Sequence, residues 1–221
     1  MKRELRQTED GSNTIYVPAL NEHYHSFHGA LQESNHVFLK NGFYKMSQSP
    51  LRILEVGFGT GLNSLLTACA SFNSNLVTDY VGVEAYPVTS EMMLNMEYPS
   101  VINQRNAALY SSKIISAQWG KRNVIHSKFS LTKIDDTIQN YHTEELFNLI
   151  YFDAFGPRVQ GDMWQKDVIQ KMFDFLAPQG TLVTYCAMGQ FKRDLRDVGF
   201  EVSCFDGPPG KREMVSAQKL K

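Results

Sequence analysis

The chain has 221 residues, of which 43% are hydrophobic and 20% charged, and its formal net charge is −1. These values are typical of a folded domain with a sizeable core, and they exclude a disordered chain or one that binds nucleic acid through bulk positive charge. No apolar run reaches the roughly 18–20 residues that span a bilayer, and the polar N-terminus lacks a signal-peptide core, so we expect a cytoplasmic protein without a membrane segment.

The first 48 residues are predicted to form an N-terminal extension that packs on a domain spanning residues 49–221. Within the extension, residues 2–22 have the pattern of a β-hairpin. Two short runs with strand-like composition flank Asp10 and Gly11, a residue pair that favours a tight turn. The chain therefore begins with two antiparallel strands rather than with the main sheet.

Residues 24–42 keep the apolar spacing of a helix, and Asn41-Gly42 is a plausible end for it. Several histidines fall in and just before this segment. They have no cysteine or carboxylate partner at a recognised ligand spacing, so we predict no metal site. Glu33 and His36 lie on nearly the same face of the predicted helix, where they point either at a site or at solvent.

Residues 51–63 are predicted to form a buried strand, a glycine-rich turn and the start of a helix. Gly57, Gly59 and Gly61 fall at every second position, unlike the Gly-x-Gly-x-x-Gly pattern that seats a pyrophosphate on a helix N-terminus. Glu55 precedes the turn and would repel a pyrophosphate. It suits a ligand with a cationic, amino-acid-like part, such as S-adenosylmethionine. The alternative is a tight strand–helix turn with no ligand.

Carboxylates end the next predicted strands. Glu84 follows the glycine turn by about twenty residues, where a doubly wound fold binds ribose hydroxyls. A third strand runs into Asp135 and Asp136, either of which could accept a hydrogen bond from an adenine amino group or serve a structural role. Asp153 ends an apolar central strand and is expected in the crevice where open α/β sheets bind ligands. A helix cap or a cofactor-side contact is the alternative for Asp153.

The remaining pattern alternates helices with strands, which predicts a three-layer α/β fold. The last two strands are too close for a crossover helix, so one of them must be antiparallel. A seven-stranded, mostly parallel sheet of this kind is typical of class I (Rossmann-like) S-adenosylmethionine-dependent methyltransferases. The further predicted elements are helices over 88–112 (broken near Pro99), 162–176 and 190–199, and strands over 180–187, 200–205 and 213–218.

Four segments together resemble a specific family. They are residues 31–39 (LQESNHVFL), 56–63 (VGFGTGLN), 151–164 (with YFDAFGP and DMW) and 210–214 (GKREM). From about residue 24 to 217 the chain resembles the methyltransferase domain of the MnmC family of tRNA-modifying enzymes. The resemblance implies S-adenosylmethionine-dependent N-methylation of the 5-aminomethyl group of (2-thio)uridine at the tRNA wobble position 34.

The chain also departs from that family. Bifunctional members carry a C-terminal FAD-dependent oxidase domain, for which 221 residues leave no room, so the chain resembles a stand-alone methyltransferase form. We expect it to be a monomer. Bifunctional members more often have Asp-Gly-Phe-Ala-Pro where this chain has Asp-Ala-Phe-Gly-Pro over residues 153–157. The acid, the aromatic residue and the proline are kept.

Position and resemblance together assign roles to individual residues. Asp153 is expected to orient the substrate amine and take its proton. Phe155 and Trp164 are expected to stack on a splayed-out base. The residues expected to bind S-adenosylmethionine are Glu33, Glu55, Gly57, Gly59, Gly61, Asn63, Glu84 and Asp136. The basic residues expected to contact the tRNA anticodon loop are Arg158, Lys192, Arg193, Arg196, Lys211 and Arg212. The alternative for these basic side chains is a solvated surface without a partner.

Two other functions are compatible with the same patterns. One is a transferase that methylates a small amine or transfers an aminopropyl group, as spermidine synthases do. The other is a non-catalytic module that keeps the fold and binds only RNA or protein. Turnover of free polyamines without RNA distinguishes the first, and a lack of cofactor binding distinguishes the second.

Overall fold

A small antiparallel sheet opens the chain in the computed structural model, which describes residues 2–221. β1 (Glu4–Gln7) and β2 (Asn13–Val17) form the predicted hairpin, and β3 (Glu22–His23) adds a short third strand that the sequence did not indicate. β3 is held by only two residue pairs with β2. Such a short strand leaves no recognisable alternation in the sequence.

The predicted helix of the extension begins later than expected. It consists of α1 (Ala30–Ser34), which continues as a π-helical turn over Asn35–Lys40. The chain before it turns back across β2, where the Tyr24 amide donates to the Ile15 carbonyl at 2.9 Å and the His25 amide donates to Thr14 Oγ1 at 3.1 Å. These bonds hold residues 24–25 outside the helix.

The rest of the chain forms a sheet covered by helices. The strands are β4 (Leu51–Val56), β5 (Thr78–Glu84), β6 (Arg122–His126), β7 (Phe129–Asp135), β8 (Phe147–Phe152), β9 (Leu176–Thr184), β10 (Phe200–Asp206) and β11 (Glu213–Lys219). The helices are α2 (Leu62–Phe72), α3 (Ser90–Asn95), α4 (Tyr98–Val101), α5 (Ala107–Ser116), α6 (Lys166–Phe175) and α7 (Gly189–Val198), and short 3₁₀ turns cover Phe43–Lys45 and Gly161–Trp164.

The sheet has eight strands in the order β10-β11-β9-β8-β4-β5-β7-β6. Six strands run parallel, from β7 across to β9 and again at β10, and β11 is the predicted antiparallel strand between β9 and β10. β6 is an additional antiparallel edge strand, so the predicted count of seven was one too low. The predicted third strand covered residues 127–134, which corresponds to β7, and left out β6 two residues before it.

Two of the predicted segments differ from the observed helices and strands. The segment 88–112 forms three short helices instead of one broken helix. β9 begins at Leu176, before the predicted start at residue 180, and includes Pro178 and Gly180. The β8–β9 register shifts between Phe147 and Leu149, and this irregularity accommodates the proline within a strand.

Apolar residues pack on both faces of the sheet, as a parallel sheet requires. One cluster includes the inner faces of α2 and α5 and also Ile15, Val37 and Phe38 of the extension. The other includes α6, α7 and the opposite face of the central strands. Within residues 2–221, no helix is both long and apolar enough to cross a membrane.

The register brings the carboxyl ends of four strands to one edge. Val56 of β4 pairs with Val83 of β5 and with Phe152 of β8, and Glu84 pairs with Asp135 of β7. The glycine turn and the predicted carboxylates therefore follow neighbouring strand ends. This is the edge at which open α/β sheets bind ligands.

Candidate active site

A cavity of about 680 Å³ lies at this edge, between the strand ends and the N-terminal extension. Its size is within the range of small-molecule and cofactor sites. Of the residues predicted from the sequence, the cavity is lined by Gly57, Gly59, Asn63, Glu84, Asp136, Asp153 and Phe155. Glu33, Glu55, Gly61, Arg158, Trp164 and the later basic residues lie outside its lining.

The glycine turn forms the floor of the cavity. Gly57 has a φ of 88°, and a Cβ placed there would lie 2.5 Å from the Asp153 carbonyl oxygen. The Gly57 and Phe58 amides donate to the Val83 carbonyl at 3.0 and 3.1 Å. Only glycine permits this approach of the β4 turn to the loop after β8. A ligand can therefore come close to the backbone here.

Glu84 is fixed on the cavity wall by two backbone amides. Its Oε2 accepts from the Gly59 amide at 2.8 Å, and its Oε1 accepts from the Tyr86 amide at 2.9 Å. A carboxylate oxygen has more than one lone pair, so each oxygen can also accept from a ligand hydroxyl. The two carboxylate oxygens of Glu84 are thus oriented so that they can accept hydrogen bonds from a diol.

Asp136 lines the cavity, whereas Asp135 is exposed and does not. Asp136 Oδ1 accepts from the Thr137 amide at 2.7 Å, which orients the carboxylate at the end of β7. Of the two candidates left open by the sequence, the geometry favours Asp136.

Asn63 connects two carboxyl groups. Its Nδ2 donates to Glu55 Oε1 and to Asp153 Oδ2, each at 2.8 Å. Glu55 is only 1% exposed and lies beneath the turn, so it cannot contact a ligand in the cavity as predicted. Burial and the negative charge of Asp153 raise the pKa of Glu55 well above its usual range. This shift favours the neutral form of Glu55, whose Oε1 orients Asn63.

Asp153 is partly exposed to the cavity, at the carboxyl end of β8. Burial, reinforced by the charge of Glu33, raises its pKa to about 7, against the opposing effects of the Asn63 hydrogen bond and the Lys211 charge. A carboxylate with a pKa close to neutrality is suited to accept a proton in catalysis.

Glu33 and Lys211 form an ion pair next to Asp153, which corrects two predictions. Glu33 is 7% exposed and also accepts from the Ser26 amide at 2.8 Å, so it does not face a cofactor. The Lys211 ammonium lies 3.6 Å from the centre of the Tyr185 ring. Because both charges are engaged, Lys211 is not a free surface cation for RNA.

Trp164 is 5% exposed and does not face the cavity. Its Nε1 donates to the Phe155 carbonyl at 2.8 Å, and its ring packs edge-on against Phe152 and Phe191 at 5.0 Å. No face is left for a stacked base, so its predicted role is wrong. The indole instead supports the loop that carries Phe155, which does line the cavity.

The predicted basic residues divide into two groups. Lys192 is partly buried and pairs with Glu213 at 3.0 Å, and Lys211 pairs with Glu33. The exposed cations are Arg158, Arg193, Arg196 and Arg212. Of these four, Arg158 is the nearest in sequence to the cavity lining, because it directly precedes Val159 and Gln160.

The extension contributes five residues to the cavity lining that were not predicted: Val17, Leu20, Arg3, Tyr24 and His25. Arg3 donates to the Tyr86 and Pro87 carbonyls at 2.5 and 3.0 Å, and Tyr24 packs edge-on against Phe155 at 5.1 Å. Burial lowers the pKa of His25 to about 4, so its ring is neutral. The run of aromatic and histidine residues over 23–28 was the available signal. No sequence signal indicated Arg3, since the carbonyls to which it donates are more than 80 residues away in the chain.

No group of three or more histidine, cysteine, aspartate or glutamate side chains in residues 2–221 is arranged to hold a metal ion.

A family model described as S-adenosyl-L-methionine-dependent methyltransferase matches residues 104–220, more than half of the chain. The chain belongs to this methyltransferase family. Its cofactor is therefore S-adenosylmethionine. The backbone approach permitted at Gly57 and the diol-ready carboxylate of Glu84 fit that molecule, which carries an amino acid part and a ribose.

Individual relatives are similar to this methyltransferase over most of its length. It is 28% identical over 226 residues to the tRNA 5-methylaminomethyl-2-thiouridine biosynthesis bifunctional protein MnmC of Pseudoalteromonas atlantica, covering 88% of this chain and 30% of the relative. The protein of the same name from Burkholderia multivorans is 29% identical over 222 residues, covering 94% and 33%. The chain thus spans about a third of the length of these curated relatives.

The crystal structure of MnmC2 from Aquifex aeolicus has the same fold as this methyltransferase. The TM-score is 0.78 at 22% identity, over 100% of this chain and 71% of the Aquifex chain.

Proposed function

We propose that this methyltransferase transfers a methyl group to the 5-aminomethyl nitrogen of (2-thio)uridine at position 34 of tRNA. The position of Asp153 carries the proposal, since this carboxylate faces the cavity beside the glycine turn and is held by Asn63. The names of the MnmC relatives supply the substrate. Such a protein acts in the cytoplasm, and we infer that it works as a monomer with residues 49–221 as its catalytic domain.

The residues proposed to hold S-adenosylmethionine each face one part of the molecule. Gly57 and Gly59 approach its methionyl part, Glu84 accepts from the ribose hydroxyls and Asp136 accepts from the adenine amino group. When bound, S-adenosylmethionine supplies an electrophilic methyl group. Asn63 and Gly61 act indirectly, through the orientation of Asp153 and the shape of the turn.

Asp153 is proposed to prepare the nucleophile. A primary amine is mostly protonated at neutral pH and must be neutral to attack, so the proton needs an acceptor. Asn63 fixes Oδ2 of Asp153, and Oδ1 is proposed to accept from the substrate amine. Holding the amine in one orientation and taking its proton are both functions of this one carboxylate.

The tRNA is proposed to approach from the side of Phe155. A wobble base turned out of the anticodon loop would stack on Phe155, which Tyr24 supports edge-on. Phosphates would contact the exposed arginines, of which Arg158 is nearest in sequence to the cavity lining.

An Asp153→Ala variant tests this proposal. With labelled S-adenosylmethionine and tRNA that lacks the final methyl group, the variant should lose about 10²–10⁴-fold in turnover, the range of general base contributions. Calorimetry should still detect cofactor binding. Turnover within a few-fold of the unaltered protein would remove Asp153 from the mechanism.

The same assay separates the other candidate functions. Labelling of a free polyamine without tRNA would indicate a small-amine methyltransferase, and aminopropyl transfer would show as a product of different mass. A non-catalytic module would bind no cofactor in the calorimeter.

A further inference from the structure

Around Asp153, three ionisable side chains come from parts of the chain that are far apart in sequence. Glu33 comes from α1, Lys211 from the loop between β10 and β11, and Glu55 from β4. Glu33 and Lys211 are 178 residues apart in the chain and form a direct ion pair. Neither side chain lines the cavity.

Both members of the Glu33–Lys211 ion pair make further contacts with neighbouring residues. Glu33 Oε2 accepts from the Ser26 amide at 2.8 Å, while Oε1 meets the Lys211 ammonium. The ammonium also lies over the Tyr185 ring, whose hydroxyl donates to the Ala154 carbonyl at 2.7 Å. Tyr185 therefore links the pair to the residue that follows Asp153. A surface ion pair would show no such contacts.

We propose that Glu33 and Lys211 are positioning residues that set the protonation of Asp153, with Lys211 cancelling the second carboxylate so that Asp153 stays ionised and able to take the substrate proton. This inference rests on the proposed function for its consequence in catalysis. Its physical core, the coupling of three charges, is a property of the protein alone.

The direction of each effect follows from Coulomb's law. Glu33 repels a negative charge on Asp153 and raises the pKa of that carboxyl, whereas Lys211 attracts it and lowers the pKa. Without Lys211, two carboxylates would face each other in a partly buried place, and Asp153 would hold its proton at neutral pH. Without Glu33, Asp153 would be a weaker base.

The other ionisable groups facing Asp153 do not offset this pair. They are Glu55 from β4, Tyr80 from β5, Tyr98 from α4 and Tyr185 after β9. Burial raises the pKa of every one of them and so favours the neutral form of all four. Glu33 and Lys211 are left as the charged neighbours that act on Asp153.

The test is a titration of the Asp153 carboxyl carbon by NMR, in protein without ligands, with the signal assigned by its loss in Asp153→Asn. Lys211→Met should raise the midpoint by about one unit and Glu33→Gln should lower it by about one unit. The double variant should lie close to the unaltered protein. Lys211→Arg should restore the midpoint. Lys166→Met removes a cation from an exposed pair with Asp197 and should leave the midpoint unchanged.

The acid limb of the pH–rate profile should move in the same directions. If Glu33 and Lys211 served only to hold the fold together, both single variants would shift the titration midpoint of Asp153 in the same direction or not at all. Either result overturns the inference. The double variant guards against misfolding, because a return to the original midpoint requires an intact site. Opposite shifts without tRNA methylation would refute the proposed function and leave the charge coupling established.

Discussion

At the scale of single residues, the burial that raises the pKa of Asp153 suits this carboxyl for proton transfer. The same burial makes its ionised form unfavourable for the stability of the fold. Its pKa is about 7 in the folded protein against 3.8 in an exposed chain. The folded state therefore holds the proton more tightly than the unfolded state. The resulting stability is complete below about pH 4 and is lost as the pH rises through 7.

Asp153→Asn should consequently stabilise the protein while it removes activity. At pH 8 the gain should be about 2 kcal/mol or more, because one pKa unit corresponds to about 1.4 kcal/mol. The gain should vanish near pH 4. Chemical denaturation at both pH values measures it. A variant that is less stable at pH 8, or a difference that does not change with pH, would contradict this linkage.

At the scale of elements, the strand ends were predictable and the orientation of several side chains was not. Glu84 and Asp153 could be placed from the sequence, because the carboxyl ends of parallel strands meet at one edge. Glu55 follows the same strand pattern, yet its side chain points beneath the turn at Asn63. Trp164 could not be recognised as a core residue, because Phe152 and Phe191 reach it from other elements. The pairing of Glu33 with Lys211 depends on the complete fold.

The contribution of the N-terminal hairpin to cofactor binding can be tested by substitution. Arg3, directly before β1, lines the cavity and donates to two carbonyls of the loop after β5. Arg3→Ala should weaken S-adenosylmethionine binding about three- to tenfold, the loss of roughly 1 kcal/mol of hydrogen bonding. Arg6→Ala is the matched control, since Arg6 lies in β1, three residues after Arg3, and its side chain contacts Glu4 and the Tyr16 ring. Equal affinities of the two variants, measured by calorimetry, would show that the hairpin does not hold the cofactor.

At the scale of the whole molecule, a net charge of −1 gives no general attraction for RNA. The proposed binding of tRNA therefore requires a local cationic surface, for which we propose the exposed arginines Arg158, Arg193 and Arg212. Lys192 and Lys211 contribute less, because carboxylates already neutralise them.

Replacing these three arginines with alanine should weaken tRNA binding and flatten its dependence on salt. Each lost phosphate contact should reduce the slope of log affinity against log salt by about 0.7–0.9. A filter-binding or fluorescence titration at several salt concentrations gives the slope. Arg105 and Lys121, which are exposed elsewhere, provide the control substitution. If the control lowers the slope as much as the arginine variant does, the proposed surface is not the tRNA contact.

The most direct measurement of the central claim compares two tRNAs that differ only in the 5-aminomethyl group of the wobble uridine. Each is incubated with the protein and labelled S-adenosylmethionine, digested to nucleosides and analysed by mass. We predict one added methyl group on the aminomethyl nitrogen of the first tRNA and no label in the second. Equal labelling of both tRNAs, or labelling of a free amine in preference to either, would contradict it.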